Sequence, residues 1–360
     1  MTNAIVTERD FWGGKPSSIR RVLRAFPVGE TIAFFREIGV SLHEEAGGKL
    51  FPDTNRARDV LDSLLRECKA VGAQLASGHR VLDVEPASGG FRVVTNRATL
   101  HAAAVVLATG GQSLPKSGSD GAGFAMARRL GHTIVPTTPA LAPLILDATD
   151  SVHRAVSGVS QDVELAVWRD GAIAVRLTGS LLWTHFGISG PVALNASRHW
   201  LRARLEGASA AVTASFRPGV RFDDVDADWQ RSALENPKSS VQTTLSAIVP
   251  ASVAAAILRQ LGLDGTATLA HFQRNERRRL VRALVEFPLP VSDSRGYTFA
   301  EATAGGVALT EIDTATMASR RCDGLFCVGE ILDVDGRIGG FNFQWAWSSG
   351  FVAGRALAAI

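Results

Sequence analysis

A chain of 360 residues with 46% hydrophobic and 20% charged residues can bury a sizeable core and exceeds a usual single domain. Its 38 basic and 35 acidic residues leave a formal charge of +3, too small and too spread out to imply a nucleic-acid partner. No apolar run reaches the ~20 residues of a membrane span, and the start MTNAIVTERDFWGG lacks the basic region and apolar stretch of a signal peptide. Cys68, Cys322 and Cys327 have no CxxC spacing, which argues against a dithiol pair or a zinc site. A cytoplasmic protein with no metal and no membrane partner is therefore expected; the oligomeric state leaves no trace in the sequence.

In chain order, residues 17–40 place Ile19, Val22, Leu23 and Phe26, then Ile32, Phe34, Phe35 and Ile38, at helical spacing before Gly39. A loop and a helix follow over 47–72, with Val60, Leu61, Leu64 and Leu65 on one face and Gly72 as the stop. QLASGHRVLDVEP and FRVVTN are hairpin material. AAAVVLATGGQS (102–113) is an apolar run ending in Thr109-Gly110-Gly111, the pattern of a strand buried on both faces that stops at a close backbone approach. From about 141 the texture changes to short strands with Gly and Asp turns, and from about 223 to 287 it is helical, with the basic cluster RNERRRLVR (274–282) as a solvated helix face. FRPGVRFDDVDADW is the one linker-like piece. No internal repeat or low-complexity tract is found.

The last segment, GLFCVGEILDVDGRIGGFNFQWAWSSGFVAGRALAAI (324–360), carries the most chemistry. It runs from a short apolar strand through a tight turn at Gly329 to Glu330, Asp333, Gly339-Gly340 and a helix with small residues. A helix start exposes unpaired N–H groups with partial positive charge, suited to an electron-rich ring edge. A flavin fits this pattern, with Glu330 on the ribityl hydroxyls and the Gly340-Phe341-Asn342 backbone at the N1/C2=O edge. Asn342 and Gln344 alternate with Phe341 and Phe343, so their amides are expected to reach the ring system. The bland alternative is a strand and helix that merely close a Rossmann-like sheet.

ATGGQSLPKSGSDGAGFAMARRLGH (108–132), PALAPL (139–144), LLWTHFGISGPVALNASR (181–198), ATAGGVAL (302–309), TMASR (316–320) and GEILDVDGRIGGFNFQWAWSSG resemble the HI0933-like family of NAD(P)/FAD-dependent oxidoreductases. The likeness runs in order over nearly the whole chain. It implies an α/β protein: a Rossmann-like FAD-binding domain from 1–140 and 301–360, with 141–300 as an inserted β-barrel holding the helical subdomain. FAD is the cofactor implied, with NAD(P)H as a possible co-substrate and a small-molecule substrate. Thr109, Gly110 and Gly111, together with Gly340, are expected to bring backbone against the cofactor. Val81 would offer backbone groups to the adenine, and Asn3 stands where the family's Cys-Asn-x-Thr-Asn segment ends.

Members of that family open with a βαβ unit whose GxGxxG turn holds the pyrophosphate. No GxGxxG occurs in these 360 residues. The chain is therefore expected to be N-terminally incomplete by about one such unit, roughly 30 to 50 residues. A GTG codon at the Val position of that segment can act as a start, so translation is expected to begin upstream; the other possibility is a truncated product that holds FAD poorly or not at all.

His185, in the rigid turn WTHFGISGP, is the candidate catalytic residue, able to move a proton while a flavin moves a hydride; the alternative is a histidine bonded to the turn's own backbone. Phe51-Pro52 and Thr303–Gly306 are candidates for the substrate side, though structural turns suit each. Three functional readings stay open: an FAD-dependent oxidoreductase, a flavin-binding protein without turnover, and a product unable to hold the cofactor.

Overall fold

The computed structural model describes residues 1–147 and 152–359. The chain forms two compact units, one from Met1–Thr137 with Ala302–Ile360 and one from Thr138–Glu301. The overall class is mixed α/β.

At the centre of the first unit two short strands, Val105–Leu107 and Leu325–Cys327, pair in parallel, with Leu107 opposite Cys327. Ala318–Ser319 and Ile312–Asp313 extend the sheet beyond Leu325–Cys327. Leu107, Leu325, Phe326 and Cys327 are buried, but Val105 is half-buried and Val106 is 38% exposed, so the expected burial on both faces holds for Leu325–Cys327 and not for Val105–Leu107, the end strand of its sheet. The helix Phe341–Leu357 turns Phe341, Trp345, Val352 and Ala353 into the same core, where they join Ile19, Val22 and Leu23 of the helix Pro16–Ala25. Burial of one such aromatic contributes about 2–3 kcal/mol. The helical pattern over 17–40 is cut in two: Pro27, with no N–H to continue a ladder, is the N-cap of a second helix, Val28–Glu37. In the helix Ala57–Ala70 the expected face narrows: Val60 and Leu64 pack, while Leu61 and Leu65 lie exposed. Three antiparallel sheets also lie in the unit: Thr2–Asn3 with Lys49–Pro52 and Leu42–Glu45, Val81–Ala87 with Gly90–Thr95 and Thr99–Ala102, and Phe11–Gly13 with Val334–Gly336.

The second unit is built on a seven-stranded antiparallel sheet. Its long hairpin, Ser160–Arg169 with Ala172–Thr184, turns at Asp170-Gly171, both at positive φ (49° and 79°), as a two-residue hairpin turn demands. The end strands of the sheet order, Phe287–Leu289 and Val291–Ser294, are separated in sequence by Pro290 alone, so the chain itself joins the two ends. The helices Phe222–Glu235, Val241–Ser246, Ala251–Leu261 and Arg274–Val285 share one core with it, through Trp229, Leu245, Ile257 and Leu284. The linker-like piece thus contains a helix start. In Arg274–Val285 the exposed face holds Arg278, Arg279 and Arg282; Arg277 instead pairs with Asp226 at 2.8 Å. No helix among the described residues is long and apolar enough to cross a membrane.

Candidate functional site

Parallel pairing fixes the geometry of the site. Because Leu107 and Cys327 lie opposite each other, Thr109-Gly110-Gly111 and Gly329-Glu330 leave the sheet side by side at its carboxyl end, the end at which open α/β sheets bind ligands. One Glu330 oxygen accepts the Thr303 N–H at 2.9 Å. The Thr303 hydroxyl oxygen accepts the N–H groups of Gln112 (2.8 Å) and Ser113 (3.2 Å), so it pins the loop after Gly111 to the strand Ala302–Val307. Thr303 is the only hydrogen-bonding partner of Glu330 among the described residues. A carboxylate has about four lone-pair sites, so most of its accepting capacity is free. Burial raises its pKa above the ordinary 4.5; the bonds from Thr303 oppose that rise, and the nearby Asp335 carboxylate adds to it.

The glycines around this carboxyl are required by the chain's own packing. A Cβ on Gly111 would stand 2.4 Å from the Thr303 hydroxyl oxygen and 2.6 Å from a Glu330 oxygen. Gly110, at φ 70°, would meet the Ser119 hydroxyl oxygen at 2.9 Å; that hydroxyl is buried with no partner among the described residues. Gly340, at φ 98°, would come within 2.3 Å of the Thr2 carbonyl oxygen. Each of these three glycines has a steric cause inside the protein. Thr109 makes the same point, since its hydroxyl lies where a Cβ on Gly123 would go, 1.9 Å away. Gly329, at φ 72°, donates its N–H to Ser349 Oγ at 3.0 Å, and its carbonyl accepts from Trp345 Nε1 at 3.1 Å.

No side chain caps the helix that begins at Phe341. Its first-turn N–H groups are left for solvent or a ligand. The approach to it is braced by Asn3, whose Nδ2 donates to the carbonyls of Gly339 (3.1 Å) and Gly47 (3.0 Å). The amides behind the helix start are engaged with the protein's own groups. Asn342 pairs with both backbone groups of Gly336, accepting at 2.7 Å and donating at 3.0 Å. Gln344 is 1% exposed; its oxygen accepts from Thr2 at 2.6 Å and its nitrogen donates to the Phe26 carbonyl at 3.0 Å. Phe341 is buried edge-on to Phe11, and Phe343, 57% exposed, stacks on Trp347. Asp333 is half-buried and donates its N–H to Val307. Val81 opens the strand Val81–Ala87 opposite Thr95, and its neighbour Arg80 forms an ion pair with Asp120 in the loop after the glycines.

His185 belongs to the second unit. Its ring is exposed, meets Phe186 edge-to-face at 5.2 Å, and makes no hydrogen bond among the described residues. A bond to the turn's own backbone is therefore not what holds it.

Sequence reasoning missed one buried polar cluster, in the first unit. Glu311 accepts the Thr133 N–H (2.8 Å) and hydroxyl (2.9 Å) and the Arg321 guanidinium (2.9 Å), and lies 3.1 Å from His132 Nδ1. Separations of 10 to 179 residues leave no local pattern to find. Cys327 is buried and its thiol is pushed up to about 12, by burial first and by Cys322 second, so it is no thiolate. Among the described residues no group of three or more His, Cys, Asp or Glu side chains is placed to hold a metal ion.

The profile of the HI0933-like protein Rossmann domain matches residues 1–356. This chain belongs to the HI0933-like family. The HI0933-like chain is 32% identical over 358 residues to a 3-dehydro-bile acid delta(4,6)-reductase of Clostridium scindens, an alignment covering 99% of this chain and 87% of that protein. It is 30% identical over 359 residues to a ribosomal RNA dihydrouridine synthase of Escherichia coli (99% and 86% covered) and 28% identical to the protein of that name in Haemophilus influenzae (99% and 86%).

Proposed function

We propose that this chain is an FAD-dependent oxidoreductase that reduces a carbon–carbon double bond conjugated to a carbonyl, with NAD(P)H as the electron donor. The observation that carries the flavin reading is Glu330: a partly buried carboxyl with one protein partner, at the carboxyl end of two parallel strands. Family membership and the reductase among the relatives support a redox enzyme. The relatives' names support the bond type. A 3-dehydro-Δ(4,6) bile acid carries double bonds conjugated to a ketone, and dihydrouridine differs from uridine by two hydrogens across a double bond conjugated to a ring carbonyl.

The residues present fit the flavin end of FAD. Glu330 would accept from ribityl hydroxyls, and the uncapped start at Phe341 would face the N1/C2=O edge. No residue is assigned to the pyrophosphate, for want of a GxGxxG turn among these residues. When bound, FAD supplies hydride transfer from NAD(P)H to the β-carbon. The protein's part is to hold the substrate, bear the charge that develops on its carbonyl oxygen, and give a proton to the α-carbon. His185, exposed and without a hydrogen bond among the described residues, is proposed as a proton donor.

The test is a titration of the protein with FAD, followed by anaerobic mixing with NADPH or NADH and then with a steroid dienone or a uridine oligonucleotide. Bleaching of the flavin band, and its return on adding one of the conjugated substrates but not the saturated analogue, is expected. His185→Gln should lower turnover by about 10²- to 10⁴-fold while flavin content stays the same. Failure to bind FAD at any concentration would remove the proposal.

A further inference from the structure

One cavity of the first unit is lined by three basic side chains and by no carboxylate. It has a volume of about 310 Å³ and lies between the start of the helix Pro16–Ala25 and the segment 309–320. Its cations are Lys15, Arg21 and Arg320. Lys15 and Arg21 are exposed and have no ion pair among the described residues. Arg320 reaches Asp313 at 3.5 Å, too long for a charge-assisted hydrogen bond, and Asp313 lies outside the lining. Arg20, on the same helix but outside the cavity, is by contrast held by Glu8 at 2.5 Å.

The helix start adds to this charge. Lys15 is its N-cap, no side chain caps it, and its first turn holds no Asp or Glu, so a cation stands at the positive end of the helix dipole. Pro16 has no N–H, and Ser18 and Ile19 donate to the Lys15 carbonyl at 2.9 and 3.1 Å, which leaves the Ser17 N–H unbonded. Water alone could satisfy such an end. Thr314 is a separate observation: it is 7% exposed, lines the cavity, and its hydroxyl makes no hydrogen bond among the described residues. That oxygen is not one of the polar atoms sealed inside the protein, so it opens on the cavity. A hydroxyl so largely withdrawn from solvent is costly unless a partner enters to bond it.

We propose that this cavity binds a phosphate monoester: Lys15, Arg21 and Arg320 neutralise the dianion, and the Ser17 N–H and the Thr314 hydroxyl donate to its oxygens. A dianion with three terminal oxygens matches a set that is all donors and no acceptor acid. The three cations converge on one cavity, whereas a nucleic-acid strand is held by charge spread along a groove with aromatic platforms. The phosphate can be free or carried by a larger molecule, such as the adenosine 2′-phosphate of NADPH. The site stands apart from the flavin reading, since none of its residues is assigned to FAD.

The test is calorimetric titration of the whole protein, in a phosphate-free buffer, with inorganic phosphate and with adenosine 2′-monophosphate. Saturable one-to-one binding is expected, weakened at least about tenfold by Arg21→Gln and about three- to tenfold by Thr314→Val, which removes the hydroxyl and little else. Arg24→Gln, on the same helix and outside the cavity, should bind like the parent. Phosphate should also raise the parent's melting temperature, and raise that of Arg21→Gln less. Tighter binding of the nucleotide than of phosphate would support a dinucleotide as the source, and equal binding would support free phosphate. No saturable binding to the parent would overturn the proposal, as would equal affinity in the parent, Arg21→Gln and Thr314→Val, or an equal loss in Arg24→Gln. So would an oligouridylate that binds the parent and is weakened by Arg21→Gln while neither monoester binds, since the patch would then belong to a strand. Because Arg21 is exposed, its variant keeps the test decisive even if Thr314→Val does not fold.

Discussion

Replacement of Glu330 by glutamine isolates charge from shape. The introduced amide would still offer one oxygen to the Thr303 N–H, which lies 2.9 Å from the carboxylate oxygen in the parent, so the loop clamp built on Thr303 should persist. What is lost is the ionic character of the acceptor at a site where burial makes the charged form costly. A hydrogen bond to a charged group contributes about 1.5–3 kcal/mol, so Glu330→Gln should weaken FAD binding roughly 10- to 150-fold. The pH dependence gives a second reading of the same effect. Since the folded carboxyl titrates above 4.5, the parent's affinity should fall as the pH drops through that raised value, while the variant's stays level. Equilibrium quenching of FAD fluorescence across the acid to neutral range measures both. A variant with a dissociation constant within about twofold of the parent's at neutral pH would refute the assignment, and so would an equally sloping pH profile; Glu330 would then be a brace for Thr303 alone.

Glu311→Gln should cost about 2–3 kcal/mol of unfolding free energy, because three sets of donors lose a charged acceptor at once. Although burial pushes it up, hydrogen bonds from Thr133, Arg321 and His132 bring the Glu311 carboxyl down to about 2; its stabilisation is full above 4.5 and is lost as the pH falls from there toward 2. His132 is held below 6.5, chiefly by burial, so its contribution is full above 6.5 and fades as the pH falls below it. Acid titration of the urea midpoint should show both ranges in the parent and lack the lower one in Glu311→Gln; an unchanged lower range would contradict the network. Gly340→Ala should lose about 1–3 kcal/mol of stability, from a positive φ and from contact with the Thr2 carbonyl. A variant that melts like the parent yet binds no FAD would instead return Gly340 to the role of cofactor contact.

The parts of the molecule legible in the sequence are those whose cause is local. The runs 102–113 and 324–329 read as strands because nothing polar interrupts their apolar residues, and Val105–Leu107 and Leu325–Cys327 are strands that pair, though Val106 is exposed. Asp170-Gly171 reads as a turn because only such residues accept two positive φ values, and it is a turn. The site itself is legible as a set of positions and not as a set of contacts. Gln344 carries an amide in a favourable sequence position, but Thr2, Thr31 and Phe26, more than 300 residues away, consume it. Thr303 reads from the sequence as a candidate for the substrate side; that it organises the loop after Gly111 depends on a bond spanning 191 residues.

The bonds between the first three residues and the last helix have a consequence for synthesis on the ribosome. Met1 accepts from Trp347 Nε1, Thr2 donates to Gln344, and Asn3 holds Gly339, so the first unit is closed by contacts spanning more than 330 residues. The second unit is contiguous, Thr138–Glu301, and satisfies its sheet from within. A nascent chain can therefore finish the second unit while the first still waits for its terminal strand and helix, and long-range closure of that kind is slow. Glu330 and the helix start at Phe341 follow the second unit in the chain, so the carboxyl end of the parallel pair takes shape only after that unit has been made. Until then the early helices Pro16–Ala25 and Val28–Glu37 lack the last helix as a partner for their apolar faces, which makes that interval the one in which a chaperone would matter most.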